Sequence, residues 1–387
     1  AMTVDDSAPV SGGSPQQGLL PAGLSDLLHP QAAQDMKSTR DVMACFADFG
    51  YVQVKPPLVE FEETLLGEGP GASLSKSSFR LLDPVSHQMM ALRADMTAQV
   101  ARISGTRLAH MPRPLRLAYS GEVMRVVPDV LNPERQLVQA GAEIIGRDDE
   151  QAAAEMILLG VRALTRAGIS GLTVDLGVPR LVGLLLDGVD DDARATLGEA
   201  VRNRDITALS AHDSVASAHL AALCTQSGGT AEALAAVGAN LPQPAADYLS
   251  VLLNVVEMLS GLMPDVALTL DPLDSQGFDY HTSISFSIFG QGLRGAVARG
   301  GAYVTGYGEP AVGISLYMDR ILRALNAPDE LPRLYISAEA GLASGLSFAD
   351  RGRQVVFGSV GVNADQEALS LGCQFILRHR DSAPEEL

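Results

Sequence analysis

The stretch LRLAYSGEVMRVVPDVLNPERQLVQAGAEII, residues 115–145, decides how this chain folds. Residues 115–125 and 135–145 read as two long strands, and Pro128, Asn132 and Pro133 between them mark the chain reversal. In the second strand a repeat of two places Gln139, Gly141 and Glu143 on one face. An amide, a gap left by glycine and a carboxylate in one row make a pocket floor for a small polar ligand. Buried without partners, such groups would cost on the order of a few kcal/mol each. An outer sheet face washed by solvent is the competing reading.

Upstream, residues 30–49 carry a helical pattern through Met36, Met43, Phe46 and Ala47 that stops at Gly50, and a strand over 51–54 is ended by Pro56-Pro57. A hairpin follows at 79–82 and 89–92. Leu92-Arg93-Ala94-Asp95-Met96-Thr97 then closes a strand and opens a helix. Asp95 and Thr97 point from that strand end toward a cleft, although a plain helix cap accounts for Asp95 equally well. Downstream come a helix at 150–167 and a strand at 173–176. Residues 180–262 switch to Ala/Leu-rich helical periodicity, with an acidic turn at Asp190-Asp191-Asp192. Strand character resumes at 266–270, 282–289, 295–298 and 313–318, and a helix ends near Leu325. Residues 331–387 read βαβαβ, a small second domain. Two further clusters stand out, Gln276-Gly277-Phe278-Asp279-Tyr280-His281 and Ala298-Arg299-Gly300-Gly301-Ala302-Tyr303. The paired glycines suit close backbone approach to a ligand, or a bulge or turn.

The chain has 387 residues, of which 47% are apolar, and 28 Lys+Arg against 46 Asp+Glu give a formal charge of −18. Only three lysines occur, Lys37, Lys55 and Lys76. That balance argues against a nucleic-acid partner, whose phosphates are held largely by Lys and Arg. The most basic segment, 102–116, carries Arg102, Arg107, His110, Arg113 and Arg116 and reads as a solvated connection, with an acidic partner surface as the alternative. The longest apolar runs, such as Leu184-Leu185-Leu186, fall far short of the ~20 residues of a membrane span. Residues 1–18, rich in Ser, Gly, Pro and Gln, are expected to be mobile and carry no secretory pattern. Cys45, Cys224 and Cys373 read as free thiols of a reducing compartment. Gly-x-x-x-x-Gly-Lys, Cys-x-x-Cys and His-Glu-x-x-His are all absent. His212 and His219, two helical turns apart, read as a solvated pair, so neither a metal nor a cofactor is expected.

In their order and spacing these segments resemble a class II aminoacyl-tRNA synthetase core, most closely the histidyl-tRNA synthetase family, over residues 19–325. The helix 30–49, the strand 51–54 and Pro57 are similar to the first class motif, which builds a dimer interface in that family. Gly121-Glu122-Val123-Met124-Arg125 through Glu143 resembles the second motif and Gly313-Ile314-Ser315-Leu316-Tyr317-Met318-Asp319-Arg320 the third. Asp279-Tyr280 and Gly300-Gly301-Ala302-Tyr303 resemble the two histidine-specific signatures. The fold implied is α+β: an antiparallel sheet flanked by helices over residues 19–330, a helical insertion at about 180–262, and a small C-terminal α/β domain. Carried over by position, Asp95, Thr97 and Gln139 would hold an α-ammonium group, and Glu143, Tyr280, His281 and Tyr303 would surround an imidazole. Arg125 would close the histidine site, and Arg125 and Arg320 take the places of ATP-contacting arginines.

The departures redirect the function. The second-motif arginine of a synthetase is followed two positions later by an acidic residue, whereas Arg125 precedes Val126-Val127. The arginine that neutralises the reacting carboxylate and phosphate is replaced by Gln276. Losing one such contact costs on the order of 10²–10³ in rate. Aminoacylation is therefore expected to be lost and no catalytic residue is assigned. A core that keeps the amino-acid pocket and loses the adenylating groups resembles the regulatory subunits of ATP phosphoribosyltransferase. This implies a cytoplasmic, non-catalytic protein that dimerises through the first class motif and assembles in a hetero-octamer with the short-form catalytic subunit. It would activate that subunit, transmit allosteric feedback by histidine in histidine biosynthesis, and bind no tRNA and no membrane. An active histidyl-tRNA synthetase-like ligase and a free-standing histidine sensor are the alternatives.

Overall fold

The computed structural model describes residues 19–67, 69–128, 132–274, 280–326 and 331–387. Expectations for residues 1–18 and for Gln276 to Asp279 fall outside that set. The chain divides into two compact units, 1–326 and 327–387.

The first unit opens with α1 (Gln31–Asp48), which ends where Gly50 takes a φ of 82° that a side chain disfavours. There follow β1 (Val52–Gln53), β2 (Val59–Phe61), α2 (Glu62–Leu65), a 3-10 turn at Gly69–Leu74, the hairpin β3 (Arg80–Leu82) and β4 (Met89–Leu92), and α3 (Thr97–Gly105). Then come β5 (Leu115–Met124), β6 (Gln136–Ile145), α4 (Glu150–Arg166) and β7 (Thr173–Gly177). The helical segment comprises α5 (Leu181–Leu185), α6 (Asp191–Arg202), α7 (Ile206–Ala211), α8 (Val215–Thr225), α9 (Ala231–Gly238) and α10 (Gln243–Ser260). The unit closes with β8 (Ala267–Leu270), β9 (His281–Phe289), β10 (Ala298–Val304), β11 (Pro310–Tyr317) and α11 (Met318–Ala324).

Eight strands form one sheet in the order β1-β5-β6-β11-β10-β9-β7-β8. Its six inner strands pair antiparallel, as expected, while the outer pairs β1–β5 and β7–β8 are parallel. The strand repeat of two sorts the side chains. Ala118, Ala140, Ala142 and Ile144 join the main core with residues of α1, α4 and α10, whereas Leu117, Tyr119, Leu137 and Ile145 join a second core on the opposite face with Met96, Val100 and Tyr303. Gly160 lets α4 lie close on the sheet, since a Cβ there would meet Ile314 and Ile288. The two Gly-rich positions of β10 lie inside a strand with a register shift between Gly301 and Tyr303, so the bulge reading holds and the turn reading does not.

The acidic turn at residue 190 is a helix start. Asp190 accepts from the Ala193 backbone N–H at 3.0 Å, and Asp191 and Asp192 face the positive end of the helix dipole. Asp205, Ser214 and Thr230 cap α7, α8 and α9 in the same way. His212 and His219 do not share a helix face: α7 ends at Ala211, and His212 lies in the turn before α8, with its Nδ1 3.1 Å from the Ser214 hydroxyl. The capping serine interrupts the helix that the spacing implied.

Three arginines of the basic segment are paired internally, while Arg107 and His110 are exposed. Arg102 donates to Glu60 at 2.5 and 2.9 Å, Arg113 to Glu309 at 2.5 and 3.0 Å, and Arg116 to Glu155 at 2.7 Å from two nitrogens. Tyr51 also donates to Glu155 at 2.9 Å, tying the edge of the sheet to α4.

The second unit consists of β12 (Arg333–Ile336), α12 (Gly341–Ala349), β13 (Gln354–Phe357), α13 (Ala364–Ser370), β14 (Phe375–Leu377) and β15 (Glu385–Glu386). Three parallel strands carry an antiparallel β15 beyond the expected βαβαβ, in the order β13-β12-β14-β15. Its core clusters use only its own residues, among them Leu334, Tyr335, Ile336, Ala340, Ala368 and Ile376. Cys45, Cys224 and Cys373 are buried free thiols. Among the described residues no helix is long and apolar enough to cross a membrane.

Candidate functional site

The site is built on the sheet face away from α1 and α4, where cross-strand register lines residues up in rows. One row runs Gly121, Gln139, Tyr317; the next Tyr119, Gly141, Ser315, Arg299; the third Leu117, Glu143, Gly313, Gly301. Each row pairs a large or polar residue with a glycine, and the glycines are occupied hollows. A Cβ on Gly141 would meet the Tyr119 hydroxyl, one on Gly313 the Glu143 carboxylate, and one on Gly301 the His281 ring. The gap at Gly141 is thus filled by Tyr119 rather than left for a ligand, because the tyrosine stands directly opposite it in the β5–β6 register.

At one end Asp95 stands one residue before the N-cap position of α3, which Met96 takes without a side-chain cap bond, so the helix-cap reading does not hold. One carboxylate oxygen accepts from the Thr97 backbone N–H at 2.8 Å, and the other from Gln139 Nε2 at 2.7 Å. Both donors of Gln139 are used, since Nε2 also donates to Ser315 Oγ at 2.7 Å, and Oε1 accepts from the Met96 backbone N–H at 2.9 Å. This amide, wholly buried, cannot turn, so it holds Asp95 in place. A carboxylate has about four lone-pair positions, so two here stay available to a cationic ligand group.

At the other end Glu143 is wholly buried and accepts from Tyr303 at 3.0 Å and from Tyr119 at 3.2 Å. Burial pushes its carboxyl up to about 8, the hydroxyl contacts only partly offsetting it. Burial first, then the charge of Glu143, also raises the Tyr119 and Tyr303 phenols, which therefore remain donors at neutral pH. Tyr119 Oη further lies 3.3 Å from Thr97 Oγ1 and 3.2 Å from Ser315 Oγ, and so joins the two ends. Tyr280 stacks on His281 with ring centroids 4.3 Å apart and meets Tyr303 edge-on at 6.1 Å.

A cavity of about 360 Å³ opens above this face, lined by Asp95, Arg125, Tyr280 and His281 of the expected site, and also by Arg299, Ser315 and Tyr317. Thr97, Gln139, Glu143 and Tyr303 back it through the hydrogen bonds above. Arg320 does not line it: the side chain is buried, its Nη1 donates to the Ala296 carbonyl at 2.5 Å, and its guanidinium lies over the Tyr317 ring at 4.4 Å. Arg125 faces the same ring at 5.6 Å. Tyr119, Ser315, Tyr317 and Arg299 belong to the site although sequence reasoning did not assign them. Their signal is register, which opposes Tyr119 and Ser315 to Gly141, Tyr317 to Gln139, and Arg299 in turn to Ser315. Gln276 and Asp279 lie outside the described residues, and among those described no group of three or more His, Cys, Asp or Glu could hold a metal ion.

An eight-stranded mixed sheet whose one face carries a buried amide–carboxylate network beneath a small polar cavity defines a class II synthetase-like protein of the histidyl type, and residues 23–321 match the family model described as histidyl-tRNA synthetase. Over 371 residues, 95% of this chain and 97% of that protein, the chain is 42% identical to an ATP phosphoribosyltransferase regulatory subunit of Paramagnetospirillum magneticum. It is likewise 42% identical to one of Rhodospirillum centenum, covering 93% and 94% of the two chains. The crystal structure of an ATP phosphoribosyltransferase regulatory subunit/histidyl-tRNA synthetase from Bacillus halodurans superposes with a TM-score of 0.80 at 26% identity, covering 95% of this chain and 99% of that one. The chain belongs to the family of ATP phosphoribosyltransferase regulatory subunits.

Proposed function

We propose that this chain is a non-catalytic, histidine-sensing subunit that activates the short-form catalytic subunit of ATP phosphoribosyltransferase in the cytoplasm and conveys feedback by histidine. The carrying observation is a split in the site. On the amino-acid side Asp95 is held by Gln139, and Glu143 accepts from Tyr119 and Tyr303, which supports a pocket kept in shape. On the nucleotide side Arg320 is buried under the Tyr317 ring and donates to the Ala296 carbonyl, which disfavours its meeting ATP, while Arg125 stays on the cavity wall beside the same ring.

The chemistry fits a histidine ligand: Asp95 suits its ammonium, and the Glu143 carboxylate suits an imidazole N–H. Adenylation needs fixed positive charge on the phosphate as the transition state develops, and a guanidinium stacked on an aromatic ring is poorly placed to supply it. Binding of tRNA is disfavoured by the charge of −18 and by the internal pairing of Arg102, Arg113 and Arg116. Histidine then acts by biasing a dimer, formed through the α1 segment, between two arrangements to which the catalytic partner responds within a hetero-octamer.

The test mixes the protein with its organism's short catalytic subunit and follows ATP-dependent phosphoribosyl transfer. Activity rises on addition of the chain and falls with histidine, and Glu143→Ala abolishes the fall while leaving activation. Histidine-dependent ATP–pyrophosphate exchange by the chain alone would instead establish a ligase, and inhibition unchanged in Glu143→Ala would remove the pocket from the mechanism.

A further inference from the structure

Of the residues read as holding an α-ammonium, Asp95 lines the cavity, while Thr97 and Gln139 back it. Ser315 lines it beside Asp95. A backbone N–H can only donate, so the 2.9 Å contact from Met96 fixes Oε1 of the Gln139 amide and leaves Nε2 as a double donor. Its two N–H groups go to Asp95 Oδ2 and Ser315 Oγ, each at 2.7 Å. The N–H groups of a planar amide diverge by about 120°, which sets those two acceptors roughly 5 Å apart. Two N–H groups of a tetrahedral ammonium reach nearly the same span, again roughly 5 Å at ordinary hydrogen-bond lengths. The pair of acceptors that the amide gathers from beneath therefore matches an ammonium arriving from the cavity.

The polarity of Ser315 suits that use. Its oxygen already accepts from Gln139, and its own proton has the Tyr119 hydroxyl 3.2 Å away. Tyr119 in turn donates to Glu143 at 3.2 Å. Once an imidazole N–H draws Glu143 into its carboxylate form, Tyr119 can only donate to it and offers Ser315 a lone pair. The serine proton then turns inward, and the second lone pair of Ser315 faces the cavity.

We infer that Ser315 is a specificity-determining residue of this pocket, the second acceptor for the ligand's ammonium beside Asp95, and that it makes the pocket choose a primary amine over a tertiary one. The inference rests on the reading of the cavity as a histidine site. An ammonium with three N–H groups serves Asp95 and Ser315 together. A dimethylated one has a single N–H, which the carboxylate takes as the stronger acceptor. Tyr119 is a positioning residue here, since it acts through the direction of the Ser315 hydroxyl.

Titration calorimetry on the full-length chain decides the matter, with histidine and Nα,Nα-dimethylhistidine as ligands to the wild type, Ser315→Ala and Tyr119→Phe. The wild type prefers histidine by on the order of 10–100-fold, the range expected for a hydrogen bond to a charged group. Ser315→Ala erases most of that preference by weakening histidine alone. Tyr119→Phe also takes a donor from Glu143, so it weakens both ligands, and it still narrows the ratio between them. Equal weakening of both ligands in Ser315→Ala would make the serine a brace for Gln139 and nothing more. A gain for the dimethylated ligand alone would make the preference one of size. Either result, a ratio unchanged in either variant, or a wild type without preference overturns the assignment. A wild type that binds neither ligand removes the histidine reading itself.

Discussion

Burial of Glu143 makes one pH-dependent contribution to stability. Its carboxyl is pushed up to about 8 from the ordinary 4.5. Between those values the folded state holds the proton more tightly, so the contribution of this group is fully present below 4.5 and is lost as pH rises through 8. Denaturant melts of Glu143→Gln should show a shallower decline than wild type across that window; parallel profiles would mean that the carboxyl titrates normally. The same proton bears on binding. Near pH 7 the free site holds a neutral acid, and an imidazole N–H calls for the carboxylate, so histidine uptake should release a proton. Calorimetry in two buffers of different ionisation enthalpy should detect that release in wild type and not in Glu143→Gln.

Among the elements, the glycines of β6, β10 and β11 matter more than their size suggests. Gly141→Ala drives a methyl against the Tyr119 hydroxyl and the Ile314 carbonyl, both of them buried and fixed. Overpacking of this kind costs about 1–3 kcal/mol. The urea midpoint of Gly141→Ala should fall accordingly, whereas Gly183→Ala, which lies in α5 and meets nothing within 4 Å, should hold or raise it.

The strands themselves were readable from periodicity alone. Residues 115–125 and 135–145 fold as β5 and β6 with ends shifted by a residue or none, while the acidic turn at 190 proves to be a helix start and the caps at 205, 214 and 230 went unread. Gln139 and Glu143 were readable because alternation along one strand suffices to face them together. Tyr119, Ser315 and Arg299 were not, since their roles depend on which residue of one strand opposes which residue of another, and no local pattern carries register over nearly two hundred residues. The setting of the Arg320 guanidinium was not legible for a related reason: its partner ring, Tyr317, belongs to the same motif, and only packing decides whether an arginine reaches outward or folds beneath its neighbour.

Taken as a whole, the molecule comprises two units whose core clusters share no residue. A chain ended at Asn326 should therefore still unfold cooperatively and retain histidine affinity, measured by calorimetric titration beside the full chain. Loss of binding would assign the small unit a part in the site. At the same scale the acidic charge and the internal pairing of the central arginines predict that an electrophoretic shift with tRNA at physiological salt shows no complex.

The ring of Tyr317, flanked by Arg125 and Arg320, has a consequence for chemical intervention. A purine stacked on those guanidinium groups would have to displace the protein's own phenol. An aminoacyl-nucleotide mimic is therefore expected to bind this chain no more tightly than its amino-acid fragment alone, a comparison that competition titration makes.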